Sequence, residues 1–143
     1  MAEHNFTLIV IDDNEMLLRM WKRLLSEEEN WTLYTTHEPI EAIEFLKIST
    51  ADLIISDIVM PTMNGFRLAE MVRKIDPEIK ILLTSGYLEN FSDIVIDGPP
   101  VNFIKKPYQD IEEVICFIKC MLADKAYQRR TSERVGDLMV WSL

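Results

Sequence analysis

The segment Phe6-Thr7-Leu8-Ile9-Val10-Ile11-Asp12-Asp13-Asn14 decides the fold. Its first six residues are apolar apart from Thr7 and rich in branched side chains, the composition of a strand buried on both faces of a parallel sheet. The run ends abruptly at two adjacent carboxylates. Directly after it, Met16, Leu17, Met20, Trp21, Leu24 and Leu25 recur at helical spacing, with Arg19, Lys22 and Arg23 between them. That pattern predicts an amphipathic helix with Asp13 or Asn14 as its N-cap. A buried strand that feeds such a helix through a short polar turn is the first half of a βαβ unit.

Outward from that unit, the alternation repeats. Trp31 to Thr36 reads as a second strand, and Ile40, Ala42, Ile43, Phe45 and Leu46 as a second helix opened by Glu38-Pro39. Leu53-Ile54-Ile55 is a third strand ending at Asp57. Phe66, Leu68, Ala69, Met71, Val72 and Ile75 make a third helix closed by Asp76-Pro77. Ile79 to Leu83 and Val101 to Ile104 read as the fourth and fifth strands, and Ile111, Val114, Ile115, Ile118, Met121 and Leu122 as the last long helix. Between Tyr87 and Pro100 the crossover helix is cut short by Gly98-Pro99-Pro100, so Glu89 to Ile96 is expected to supply about two turns. Right-handed crossovers then give a doubly wound, five-stranded parallel sheet with helices on both faces, and the order 2-1-3-4-5 is the one expected for it. Residues 125–143 fall outside the alternation and are expected to extend the last helix or to be flexible. Trp141 within them either folds back on the domain or contacts a partner.

Composition bounds the function. The chain has 143 residues, 48% of them hydrophobic, enough for one core without disulfides or a structural metal. The formal charge of −9 argues against direct nucleic-acid binding, which needs clustered Lys and Arg. Cys116 and Cys120 lie four apart, the wrong spacing for a CxxC redox site, and are expected to be reduced thiols. No secretory signal or membrane-length apolar run is present in the sequence, which leaves the cytoplasm as the default location.

The informative polar residues all follow strands. Asp12-Asp13 follow the first, Asp57 the third, Thr84-Ser85 the fourth and Lys106 the fifth, each at a carboxyl end, where open parallel sheets bind ligands. In the order 2-1-3-4-5 the acidic pair and Asp57 share one crevice. Three carboxylates there repel one another: either one stays protonated with a raised pKa or a cation compensates, and oxygen donors suit Mg²⁺. Asp57 is then a candidate carboxylate nucleophile for a phosphoryl group, with Lys106 neutralising charge and a hydroxyl of Thr84 or Ser85 donating to a phosphoryl oxygen. Each residue also has an ordinary reading: a helix cap for Asp12-Asp13, a turn former for Asp57 ahead of Met60-Pro61, a strand end for Ser85-Gly86, a surface cation for Lys106. Their joint position at one sheet edge outweighs those readings.

Four segments together resemble the receiver domain of two-component response regulators. They are Leu8-Ile9-Val10-Ile11-Asp12-Asp13-Asn14-Glu15, Asp57-Ile58-Val59-Met60-Pro61-Thr62-Met63-Asn64-Gly65, Leu82-Leu83-Thr84-Ser85-Gly86-Tyr87 and Phe103-Ile104-Lys105-Lys106-Pro107-Tyr108. The resemblance covers about residues 5 to 123 and implies a flavodoxin-like fold, with residues 1–124 as the phosphoacceptor domain and 125–143 as a tail. It implies that Asp57 accepts a phosphoryl group from the phosphohistidine of a histidine kinase or phosphotransfer protein. Mg²⁺, with Mn²⁺ as a substitute, would be held by Asp13 and Asp57 directly, by Asp12 largely through water and by the backbone carbonyl of Val59. Lys106 would contact the phosphoryl group, and its bond to Pro107 would be cis. Ser85, followed by the small Gly86, would be the switch hydroxyl, with Thr84 as the alternative, and Phe103 the mobile aromatic. The downstream partner would be a protein effector, and homodimerisation is compatible with the family.

Two departures stand out. The shortened crossover helix alters part of the family's usual signalling face. Val59 and Tyr87, two residues after Asp57 and Ser85, occupy positions whose side chains in the family border the path of hydrolytic water, and the resemblance therefore implies slow loss of the phosphoryl group. A haloacid-dehalogenase-type phosphatase is disfavoured because Val59 stands where such enzymes need a second Asp. A non-phosphorylated interaction module on the same fold is disfavoured by the intact set Asp12, Asp13, Asp57, Ser85 and Lys106.

Overall fold

The structure, a computed structural model, describes residues 5–86, 95–128, 130 and 132–143. Among these described residues, eleven elements follow in chain order: β1 (Phe6–Ile11), α1 (Glu15–Leu25), β2 (Trp31–Thr36), α2 (Pro39–Ile48), β3 (Leu53–Asp57), α3 (Gly65–Ile75), β4 (Lys80–Ser85), β5 (Val101–Lys105), α4 (Ile111–Leu122), β6 (Ser132–Val135) and β7 (Leu138–Trp141). Helix starts follow from local chemistry. Asn14 Oδ1 accepts from the amides of Met16 and Leu17, and Asn64 Oδ1 from that of Arg67. Asp110 Oδ1 accepts from Glu112 and Glu113. Each bond satisfies an amide that the helix itself leaves unpaired. Of the two cap candidates for α1, the structure uses Asn14, which leaves both neighbouring carboxylates for the crevice.

The strands form one seven-stranded sheet in the order β2-β1-β3-β4-β5-β7-β6. Its first five positions reproduce the expected parallel order. Side-chain alternation sends Ile9, Ile11, Ile54, Leu83 and Phe103 to the face covered by α2 and α3. Leu8, Val10, Ile55, Leu82 and Ile104 pack on the other face with Trp21 and Leu25 of α1 and Phe117 and Ile118 of α4. Burying each such aliphatic side chain contributes roughly 1.5–3 kcal/mol, so two full layers hold the strand ends in place. No helix among the described residues is long and apolar enough to cross a membrane. Both cysteines are unpaired and half-buried.

Two expectations need correction. The sheet has seven strands rather than five, and residues 125–143 do not extend the last helix. α4 ends at Leu122, after which Asp124 takes a left-handed φ of 55° that breaks the helical path. β6 and β7 then form an antiparallel hairpin turning at Gly136, whose φ of 59° a side chain would disfavour. β7 lies parallel to β5, pairing Val101 with Leu138 and Ile104 with Trp141. The physical reason is burial on both faces: Leu138 and Val140 join the α2/α3 layer, while Trp141 packs on the α1/α4 layer. Trp141 folds back on the domain, its indole N–H donating to Asn102 Oδ1 at 2.9 Å. The expected short crossover helix at Glu89 to Ile96 lies mostly outside the described residues, and Val95 and Ile96 carry no regular secondary structure.

Candidate functional site

The carboxyl ends of β1, β3, β4 and β5 meet at one edge because these strands are neighbours in the sheet. Asp12 directly follows β1, and its amide donates to Thr36 O of β2 at 3.2 Å, so backbone pairing continues through it. Its side chain turns into the crevice and is only 2% exposed. One oxygen accepts from the Asn14 amide at 2.9 Å and the other faces Lys106 Nζ at 3.5 Å. Asp57, the last residue of β3, accepts from the same ammonium at 3.2 Å and from the Val59 amide at 3.4 Å. Asp13 is exposed at the rim. The three carboxylates each present an oxygen within 4.8 Å of the others.

Charge dominates this geometry. Burial pushes the Asp12 carboxyl above the ordinary carboxylate range, and the nearby Asp57 adds to the rise. The Asn14 amide and the Lys106 ammonium act against it. Lys106 brings one positive charge to three carboxylates, which leaves the cluster anionic. An all-oxygen donor set with residual negative charge fits a hard divalent cation, so the crevice can hold a metal ion.

The remaining residues sort by position. Ser85 and Thr84 end β4 and are both buried. Ser85 O accepts from the Lys106 amide at 2.8 Å, which ties the end of β4 to the loop after β5. Thr84 sits opposite Asp57 in the β3–β4 register, and its carbonyl accepts from the Ile58 amide at 3.0 Å. Phe103 is fully buried in the α2/α3 layer with Leu83, Leu138 and Val140. Val59 is 61% exposed at the rim of the crevice. The bond between Lys106 and Pro107 is cis. Tyr87 lies outside the described residues.

Two further residues shape the site. Gly65 opens α3 directly against the phosphoacceptor candidate: its amide donates to Ile58 O at 2.8 Å, and a Cβ there would stand 2.7 Å from Asp57 O. Only glycine permits that approach. The signal in the sequence was Asn64-Gly65, a turn pair that also closes the segment resembling the family's phosphoacceptor loop. Tyr108 packs its ring edge-on to Trp21 at 5.7 Å between centroids. Its buried hydroxyl stands beside Thr84. Burial raises its pKa strongly, and the charges of Asp12 and Asp57 add to that. No sequence signal distinguishes that hydroxyl from any other at a strand end.

The chain is similar to known proteins in sequence and in fold. A family model described as the response regulator receiver domain matches residues 8–116. The chain is 30% identical over 122 residues to "Sensor kinase CckA" of Brucella abortus, covering 81% of the chain but only 12% of that kinase. It is also 30% identical over 118 residues to "Response regulator receiver protein CpdR" of the same organism, covering 80% of the chain and 94% of that protein. Among solved structures, the signal receiver domain of an HD domain-containing protein from Pseudomonas fluorescens superposes with a TM-score of 0.73 at 21% identity, over 87% of this chain and 91% of that one.

Proposed function

The chain belongs to the response regulator receiver domain family, and from that premise we propose that it is a phosphorylation-dependent switch in which Asp57 accepts the phosphoryl group. The observation that carries this reading is the convergence of Asp12, Asp13 and Asp57 on one another, with Lys106 bridging two of them. An Asp57 carboxylate oxygen forms a bond to phosphorus as the bond from phosphorus to a histidine nitrogen of the donor breaks. Asp13 and Asp57, with Asp12 and the carbonyl of Val59, would hold Mg²⁺ in this crevice. When bound, Mg²⁺ offsets the charge of the carboxylates and of the phosphoryl oxygens.

This chain's own residues do the rest. The backbone at Gly65 and the Val59 amide fix the Asp57 loop. Lys106 turns from the carboxylate to a phosphoryl oxygen, and Ser85, or Thr84 in its place, donates a second hydrogen bond. Phosphorylation adds about −1.5 to −2 charges and three acceptor oxygens at this point, enough to bias a two-state element. Phe103, paired with Leu83 two residues before Ser85, is the aromatic whose packing then responds. The upstream partner on this reading is a histidine kinase or phosphotransfer protein, the downstream partner a protein effector, and the compartment the cytoplasm.

The test is acyl-phosphate formation. Incubation with a small phosphodonor and Mg²⁺ is expected to add one phosphoryl mass to the chain, lost in Asp57→Asn and in EDTA. Equal labelling of wild type and Asp57→Asn would exclude Asp57 as the acceptor.

A further inference from the structure

The family match ends at residue 116, yet the chain beyond α4 returns to the site. Lys106 lies in a short loop after β5, and the tail grips that loop on both sides. Before it, Ile104 pairs with Trp141 in the β5–β7 ladder. After it, the Gln109 amide donates to the backbone oxygen of Leu143 at 2.8 Å. Lys105, Lys106, Pro107, Gln109, Ser142 and Leu143 line one shared cleft. The loop that touches Asp57 therefore cannot shift without disturbing the tail or stretching these bonds.

The tail itself is fastened at a second point. Glu113 of α4 is 6% exposed and accepts from the Tyr127 hydroxyl at 2.6 Å. Arg130 donates to both of its oxygens, at 2.9 and 3.2 Å. A carboxylate buried at this depth is retained only when paired in this way. Phe117, Tyr127 and Trp141 close the gap between that anchor and β7, with ring centroids 5.0 to 5.7 Å apart.

We propose that the β6–β7 hairpin is a regulatory clasp: held by Glu113 and by β5, it keeps the Lys106 loop in its resting geometry, and loading of Asp57 loosens it. The proposal rests on the phosphoacceptor reading above. A phosphoryl group requires the Lys106 ammonium to leave its present contact with Asp57, and the clasp opposes the accompanying movement of the loop. Because coupling between two sites is reciprocal, loading of Asp57 and closure of the clasp disfavour each other by the same factor, so a variant that loosens the clasp should favour loading.

The test uses the whole chain with beryllofluoride and Mg²⁺, an unreactive mimic of the phosphoryl group. Loading is followed by fluorine NMR and the clasp by hydrogen exchange at the β7 amides. Loading is expected to speed β7 exchange by about five-fold or more, the lower end of ordinary coupling. Arg130→Ala, at a partly solvent-exposed side chain, and Asn102→Ala, which removes the acceptor for Trp141, should each speed β7 exchange without beryllofluoride. Each should also tighten beryllofluoride binding by roughly three-fold or more. Loading with unchanged β7 exchange, or variants that loosen β7 without tightening binding or that weaken it, would overturn the clasp and leave the phosphoacceptor reading intact. Variants that fail to speed β7 exchange would also overturn it. Absence of loading in the wild type would overturn both.

Discussion

The Lys106 ammonium stands 3.2 Å from Oδ2 of Asp57, although β4 lies between the strands that carry them. Adjacent strands are about 4.8 Å apart, so the lysine reaches across roughly two strand spacings. A long cationic side chain at the end of β5 is needed for that reach. It also contacts Asp12 at 3.5 Å, which makes it the counter-ion for both inner carboxylates.

Lys106→Met keeps the apolar stem and removes the charge. We expect a loss of about 1–3 kcal/mol in urea unfolding, because two mostly buried carboxylates lose a charged partner. The loss should shrink when Mg²⁺ is added, since the cation takes over part of the compensation. An unchanged midpoint without Mg²⁺ would count against the pairing.

The buried Asp12 carboxyl has its pKa raised in the folded protein. The folded state then binds the proton more tightly than the unfolded chain does. Stability is expected to fall as pH rises from the ordinary carboxylate value of about 3.9 through the raised one, and to level off above it. Asp12→Asn should remove that decline and stabilise the metal-free protein at neutral pH. Urea midpoints measured along a pH series check both statements.

Mg²⁺ should stabilise the wild type by about 2.7 kcal/mol at a hundred times its dissociation constant, by mass action alone. Asp13→Ala should abolish most of that gain, and it should cost little stability otherwise because Asp13 is exposed. A thermal-shift titration with each protein separates the two effects. A full Mg²⁺ shift in Asp13→Ala would remove that residue from the ligand set.

Gly65→Ala places a methyl group 2.7 Å from Asp57 O and 2.9 Å from the Ile58 Cα, both backbone atoms that cannot swing away. We expect a loss of about 1–3 kcal/mol from overpacking and slower phosphorylation of Asp57 as its loop is displaced. A phosphorylation rate equal to wild type, measured well below the unfolding transition, would show that the loop absorbs the change.

Val59 projects at the rim with 61% of its surface exposed, next to the carboxylate that would carry the phosphoryl group. A branched apolar group there hinders an attacking water. Autodephosphorylation in Mg²⁺ is expected to take minutes or longer, and Val59→Asn should speed it several-fold. A wild-type half-life of seconds would sink this account.

Much of the site was legible because its parts are local. Asp12-Asp13, Asp57 and Lys106 each follow a buried apolar run, and alternation of strand and helix leaves few ways to order those runs. Gly65 was visible as the end of the phosphoacceptor-loop segment, but its close contact with Asp57 O was not, because that contact depends on how α3 docks rather than on its own neighbours. The Tyr108 hydroxyl was silent for the same reason: its burial beside Thr84 is a property of packing between β4 and the loop after β5.

Amino-acid order by itself determined the parallel α/β core, the strands and helices that build it and the carboxylates that end its strands. These follow from strand length, helical periodicity and turn chemistry, which act over a few residues at a time. Only the tertiary structure decided the fate of residues 125–143. A strand as short as Leu138–Trp141 has no preferred state alone. It becomes a strand because β5 offers an open edge and because both faces of the sheet have apolar surface left to cover. The anchor at Glu113 likewise depends on residues 14 and 17 positions away meeting in space. It is that long-range packing that brings the end of the described chain back to Lys106.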